Sequence, residues 1–233
     1  MNRFKCPACG GEQYTAKDTA KGCIFCGHQG ELEKMLEMEP EKVRVSRMPK
    51  TKIEWTEYSW NPVTGCTPIS EGCQNCYARR MANRLRGRCG YPADDPFRVT
   101  LHPERLGEPL RWKKPRRVFV CSMGDLFHED VPRWMRFEVM DIILQAKQHT
   151  FLILTKRPAN MKEFFEWYYS KAGRTIETIK NLWLGVTAEN QARADERIPI
   201  LLQIPAAARF VSVEPMLGPV DIAGHLGFNG PRR

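Results

Sequence analysis

Long apolar runs are missing from this 233-residue chain. Nowhere does it approach the roughly 18 consecutive apolar residues of a membrane-spanning helix, which excludes a helical membrane protein. An apolar leader is missing too: Met1-Asn-Arg-Phe-Lys-Cys6 opens on a cysteine motif instead, and the expected compartment is the cytoplasm. Without an oxidising compartment, the nine cysteines read as metal ligands rather than disulfides. Seven of them fall into two tight groups, and the second group has no fourth member. Cys89 and Cys121 are left over and read as small hydrophobes. With 42% hydrophobic and 27% charged residues, the chain has the composition of an ordinary soluble protein, with length for one sizeable core and a small appendage.

The first cysteine group is Cys6-Pro-Ala-Cys9-Gly-Gly and Cys23-Ile-Phe-Cys26-Gly-His28. Two C-x2-C knuckles, each followed by glycine, are the signature of a tetrahedral Zn2+ site, in which metal binding supplies the folding energy. Residues 1–29 are therefore expected to be a zinc ribbon with Cys6, Cys9, Cys23 and Cys26 as ligands and His28 as a bystander. Residues 30–50 read as a charged linker, with a short helix starting at Glu31 and ended near Pro40. Residues 51–233 form the main domain.

The incomplete second group organises that domain. In Trp60-Asn-Pro-Val-Thr-Gly-Cys66-Thr-Pro-Ile-Ser-Glu-Gly-Cys73-Gln-Asn-Cys76-Tyr77 the spacing is C-x6-C-x2-C, between an expected strand and a basic helix. A structural zinc site is closed by four protein ligands, whereas three thiolates on a [4Fe–4S] cluster leave one iron open. Cys66, Cys73 and Cys76 are therefore candidate iron–sulfur ligands, with S-adenosylmethionine as the molecule such an iron would take. A zinc site completed by Cys89 or a histidine is the competing assignment.

The wording of the stretch is specific. Lys52-Ile-Glu-Trp-Thr-Glu-Tyr-Ser-Trp-Asn-Pro-Val-Thr-Gly-Cys66 and Gly72-Cys73-Gln-Asn-Cys76-Tyr-Ala resemble the phage-associated three-cysteine-motif family, itself similar to radical S-adenosylmethionine enzymes. The resemblance runs from about Thr51 to Asp221. The usual radical enzyme pattern is C-x3-C-x2-C with an aromatic residue before the third cysteine. Here the first gap is six, Asn75 precedes Cys76, and the aromatic Tyr77 follows it.

Beyond the cysteines the charge turns basic. Residues 77–117 hold twelve Lys/Arg against four Asp/Glu within a chain of net charge +9, a density suited to DNA or RNA because neutralised phosphates release counterions. A solvated basic face is the plainer reading. Tyr77 to Gly87 reads as a helix, and the Pro-rich stretch 90–115 as a long loop able to lie over a substrate.

From Arg117 a rhythm sets in. Strand-like runs begin at Arg117, Thr150, Leu182 and Arg209, the first three each followed by a helical pattern, the first of these capped by Asp130. Apolar strands alternating with helices imply a parallel sheet, as a barrel or a doubly wound sheet, with the site at the strands' carboxyl ends. With the strand before Cys66, the expected fold is α/β: a partial (βα) barrel of radical S-adenosylmethionine type with about five parallel strands. The resemblance implies six, so the barrel is expected to be open or cut short at its carboxyl end.

That topology brings the strand-end residues together: Gly124 and Asp125, Lys156 and Arg157, Thr187, Glu189 and Asn190, then Ser212 and Glu214. By resemblance, Ser122-Met-Gly124-Asp125 takes the place of the stretch that holds the methionine moiety of S-adenosylmethionine. Lys156 or Arg157 would pair its carboxylate, and Glu189 or Glu214 its ribose hydroxyls. Any one of these residues can instead cap the helix after it. Two functions follow. The first is reductive cleavage of S-adenosylmethionine to a 5′-deoxyadenosyl radical, fed by an electron donor and acting on an unidentified substrate for which nucleic acid is a candidate. The second is a non-catalytic, zinc-stabilised nucleic-acid-binding phage protein.

Overall fold

Val118-Phe-Val120, Phe151-Leu-Ile153 and Leu184-Gly-Val186 are buried without alternation, the pattern of strands covered on both faces. In the structure, a computed structural model that describes residues 2–8, 12–15, 19, 21–23, 28–35, 51, 53–171 and 179–226, they lie at the centre of one parallel sheet.

The amino-terminal unit comes first. Strands β1 (Asn2–Lys5), β2 (Glu12–Thr15) and β3 (Glu33–Met35) form an antiparallel sheet in the order β2-β1-β3. β3 corrects the helix expected from Glu31. Pairing with β1 (Lys5 opposite Glu33, Arg3 opposite Met35) overrides a weak local helix propensity and carries this unit into the stretch read as linker. Cys6 and Cys23 are buried with Phe4 and Leu32, and the cluster packs against Trp134, Phe137 and Trp167 of the main domain. Cys9 and Cys26 lie outside the described residues.

The main domain continues with β4 (Tyr58–Trp60), β5 (Val63–Thr64), α1 (Tyr77–Arg84), β6 (Thr100–Leu101), β7 (Arg117–Val120) and α2 (Arg133–Gln145). It ends with β8 (Thr150–Thr155), α3 (Pro158–Lys171), β9 (Leu182–Thr187), α4 (Gln191–Leu202) and β10 (Ala208–Ser212). The sheet order is β10-β9-β8-β7-β4, and every pair is parallel. Each strand thus lies beside the one before it. Right-handed crossovers then place the helices on a single face, as in a barrel and unlike a doubly wound sheet.

The other face is lined by aromatic packing. Trp55 stands with its ring 4.8 Å from Phe119 of β7 and 5.7 Å from Phe210 of β10. The Phe210 ring lies over Gly185, where an added Cβ would come within 2.5 Å of it, so β9 needs glycine there. The Pro-rich stretch is stitched down beside the cysteine loop. β6 pairs antiparallel with β5, and the Cys66 N–H donates to the Phe97 carbonyl at 3.1 Å.

The helix starts differ from one another. Pro158 opens α3, where its missing N–H costs nothing, and Asn190 caps α4 by accepting from the Arg193 N–H at 3.0 Å. Asp130 does not cap α2: the helix begins after an extended Pro132 with no side-chain cap. The Asp130 N–H donates instead to His128 Nδ1 at 3.1 Å.

Trp60 anchors the core. It is fully buried, donates its indole N–H to the Arg105 carbonyl at 2.8 Å and meets Phe151 edge-on. Trp60→Ala should therefore cost about 4 kcal/mol in urea denaturation, from the cavity and the orphaned carbonyl together. A loss below about 1 kcal/mol would show that Trp60 does not join the loop at Arg105 to the sheet.

Candidate metal centre

Cys66, Cys73 and Cys76 line one cavity of about 490 Å³ at the carboxyl edge of the sheet. Loop geometry puts them there. Gly65, with φ of +84°, turns the chain out of β5 where a Cβ would meet the Arg98 carbonyl. Residues 71–73 then form a 3-10 turn, and Cys76 is the N-cap of α1. Thiolates at a helix amino terminus face its positive dipole end.

Most of the polar strand-end residues hold this loop in place. Arg157 is buried, its side chain 4% exposed. Its Nε donates to Glu129 at 3.0 and 3.1 Å, Nη1 to Cys66 Sγ at 3.3 Å, and Nη2 to the Thr67 carbonyl at 3.1 Å and hydroxyl at 2.9 Å. His128 Nε2 lies 2.8 Å from the same hydroxyl. Its Nδ1 accepts from the Asp130 N–H, which assigns the proton to Nε2. Asp125 accepts from the Thr155 hydroxyl at 2.8 Å and the Phe127 N–H at 2.9 Å. Its carboxylate ties the β7 exit to the β8 exit.

Glu189 performs the same service at the loop's other end. Its side chain is fully buried, receives Lys156 Nζ at 3.1 Å and Arg197 Nη1 at 2.8 Å, and accepts a hydrogen bond from Ser70. Burial alone would raise its carboxyl, but the Ser70 hydroxyl, Arg197 and Lys156 outweigh it and hold the pKa below the ordinary value. Gly72 packs so closely here that a Cβ would lie 2.8 Å from Lys156 Nζ. Outside this clamp, Arg193 of α4 grips Glu71 at 3.1 and 3.2 Å.

The stretch 122–125 is also internally bonded. Asn61 Oδ1 accepts from the Met123 N–H at 2.9 Å and the Ser122 hydroxyl at 3.2 Å. Tyr77 donates to the Ser122 carbonyl, and the Gly65 N–H to the Met123 carbonyl at 2.9 Å. Gly124 is required where the two segments touch, since a Cβ would lie 2.9 Å from the Gly65 carbonyl.

The thiols sit in unlike surroundings. Burial, then the Asp125 carboxylate, push Cys66 up to about 11 against the pull of Arg157. Burial also acts on Cys73, but donors from the Ile69 and Ser70 backbone, the Ser70 hydroxyl and the Lys156 charge outweigh it, and its pKa falls below the ordinary thiol value. Cys121, left-handed at φ 58°, lines the same cavity, and burial pushes its thiol up to about 12. Cys89 is exposed and does not line it. Among the described residues, no group of three or more His, Cys, Asp or Glu side chains is placed to hold a single metal ion. Ligands of a cubane each take a different iron and need no common point.

Of the other strand-end residues, Gly124, Asp125, Lys156, Arg157, Thr187, Ser212 and Glu214 line the cavity, whereas Glu189 and Asn190 do not. Glu189 lies in the clamp and Asn190 in the helix cap. Glu214 is exposed at the rim. Sequence reasoning assigned no role to Trp55, Asn61, Thr67, Ser70, His128 or Arg197. Trp55, Asn61, Thr67 and Ser70 stand inside the quoted cysteine-motif stretches, the one signal for any of them.

A sequentially wound parallel α/β sheet with three loop cysteines on its carboxyl edge is the class that fold and site define. The chain belongs to a family described as protein of unknown function (DUF5131), which matches residues 50–227. No curated protein matches the sequence. Among solved structures, spore photoproduct lyase complexed with dinucleoside spore photoproduct is similar at a TM-score of 0.50 and 11% identity, over 72% of this chain and 48% of that one. A mutant of the same lyase with bound AdoMet and dinucleoside spore photoproduct is similar at 0.49, 11%, 72% and 48%. This chain thus spans about half the length of those structures, and the likeness is one of fold. No helix among the described residues is long and apolar enough to cross a membrane.

The clamp can be tested directly. Glu189→Ala leaves Arg197 and Lys156 buried without their partner and should cost about 3 kcal/mol, with proteolytic cleavage appearing in the loop at 66–76. The contribution belongs to a carboxyl of lowered pKa. It is complete above the ordinary carboxylate value of about 4 and lost as pH falls through the lowered one, so acid melts should narrow the gap between wild type and variant. A constant gap would contradict the pairing.

Proposed function

We propose that the chain is a radical S-adenosylmethionine-type iron–sulfur protein. The observation that supports this most strongly is that Cys66, Cys73 and Cys76 line one cavity at the sheet's carboxyl edge, with Lys156 and Arg157 beside them. A cavity with three thiol ligands, a helix amino terminus and two cationic side chains suits an anionic [4Fe–4S] cluster with one open iron. S-adenosylmethionine on such a cluster supplies, after one-electron reduction, a 5′-deoxyadenosyl radical that takes hydrogen from a substrate.

The chain's own residues have separate tasks. Lys156, beyond its bond to Glu189, offers a donor to the methionine carboxylate, and Glu214 at the rim an acceptor for ribose hydroxyls. The backbone at Gly124 and Asp125, on the cavity wall, is the stretch we assign to the methionine moiety. Ile53, Trp55, Phe119 and Leu154 form the apolar wall that keeps water from it. The basic segment 77–117 suits a DNA or RNA substrate, and a fold neighbour in complex with a dinucleoside photoproduct supports that class. An electron donor is needed as partner. The amino-terminal unit, residues 1–29 together with β3, is assigned as a zinc ribbon on Cys6, Cys9, Cys23 and Cys26, the rest of residues 30–50 as the linker, and the remainder as the radical-type domain. The setting we infer is a phage-associated cytoplasmic protein.

One observation favours the second reading, a non-catalytic zinc-stabilised nucleic-acid-binding protein: Asp125, Glu189 and the carbonyls at 122–123 are already bonded within the chain. Anaerobic purification separates the two. The radical reading predicts a brown protein with about four irons and one zinc per chain. Cys73→Ser should lose the iron but keep the zinc, and Cys89→Ser should keep both. A colourless protein holding zinc alone after iron–sulfide reconstitution would overturn it, and loss of metal in Cys89→Ser would favour the zinc site closed by that residue.

A further inference from the structure

The three cysteines are not equivalent, and Arg157 is what distinguishes Cys66. The sequence offered Lys156 or Arg157 as the partner of a bound carboxylate. The Arg157 guanidinium lies on the cavity wall but is engaged within the chain, with Nη1 donating to Cys66 Sγ at 3.3 Å. The direction of that donor is fixed from several sides. Glu129 holds Nε, the carbonyl and hydroxyl of Thr67 hold Nη2, and Asp125 lies 3.5 Å from Nη1. A planar fork held at so many points cannot swing away when the loop moves, unlike a lysine on its flexible stem.

Hydrogen bonds to ligand sulfurs are among the controls on an iron–sulfur reduction potential, because they stabilise the more negative reduced state. Building on the reading above, we propose that Arg157 is a positioning residue whose N–H···S bond to Cys66 raises the reduction potential of the cluster. Asp125 and Glu129 carry opposing negative charge, but their oxygens point at the guanidinium and fix its direction. The counterparts at Cys73 are uncharged: backbone donors at Ile69 and Ser70 and the Ser70 hydroxyl, at 3.7 Å from Sγ, all weaker than a guanidinium. The strongest donor to the site is therefore concentrated on one ligand.

The test is a spectroelectrochemical titration of the anaerobically reconstituted protein, with iron content measured on each sample. Arg157→Gln removes the charge and should lower the ratio of reduced to oxidised cluster about tenfold at a fixed poise, which for a one-electron couple is a midpoint about 59 mV more negative. Arg157→Lys keeps the charge but not the fork and should fall between. Arg133→Gln removes a positive charge that pairs with Glu163 at 3.3 Å away from the cavity but no sulfur donor, and should titrate as wild type. Equal midpoints in wild type and Arg157→Gln, both with full iron, overturn the inference alone. A wild type that takes up no iron–sulfur cluster overturns the reading on which it rests. Should Arg157→Gln lose its iron, electron–nuclear double resonance on the reduced wild type with 15N-labelled arginine decides. A guanidinium 15N coupling supports the bond, and its absence overturns it.

Discussion

The guanidinium of Arg157 joins more of the site than any other side chain. From one nearly buried position it reaches Cys66 and Thr67 in the cysteine loop, Asp125 after β7 and Glu129 before α2. The site's residues come from separate strand exits, and without a common partner each would be free to find its own arrangement. The buried pairing of Glu189 with Arg197 and Lys156 repeats the device at the far end of the loop. Ion pairs of this kind contribute little net stability over a well-packed apolar alternative, but removing one partner is costly. Their service here is to fix a loop that has no regular secondary structure beyond one 3-10 turn.

The sheet makes that arrangement possible. Because β4, β7, β8, β9 and β10 follow one another without reversal, the helices share one face and the other is left for a cavity. Trp55 reaches from Phe119 to Phe210 across that face and supplies apolar wall where β9 carries only Gly185. What a closed barrel would do with more strands is done here by a tryptophan from the chain before β4.

The regular parts of this fold were legible in the sequence. The runs at Arg117, Thr150, Leu182 and Arg209 became β7 to β10, because continuous apolar strands of that length have few other uses. The cysteine spacing marked the loop that lines the cavity. What could not be read was the direction of the strand-end side chains. Glu189 and Arg157 were each one of two candidates to face a ligand; Glu189 lies in the clamp away from the cavity, and Arg157, though on the cavity wall, is bonded to Cys66 and Thr67. Residue type and position do not say which partner is nearer when several strand exits meet. Asp130 and the helix at Glu31 failed for a related reason: a buried histidine and a strand partner, neither local in sequence, outweighed the cap and the propensity.

The account rests on one claim, that the three loop cysteines hold a cluster with an iron open to S-adenosylmethionine. Electron paramagnetic resonance of the dithionite-reduced protein, recorded before and after adding S-adenosylmethionine, addresses it most directly. The account predicts a reduced [4Fe–4S] signal whose g values change on addition and which is absent from Cys66→Ser. A signal from a fully loaded protein that is indifferent to S-adenosylmethionine would contradict it.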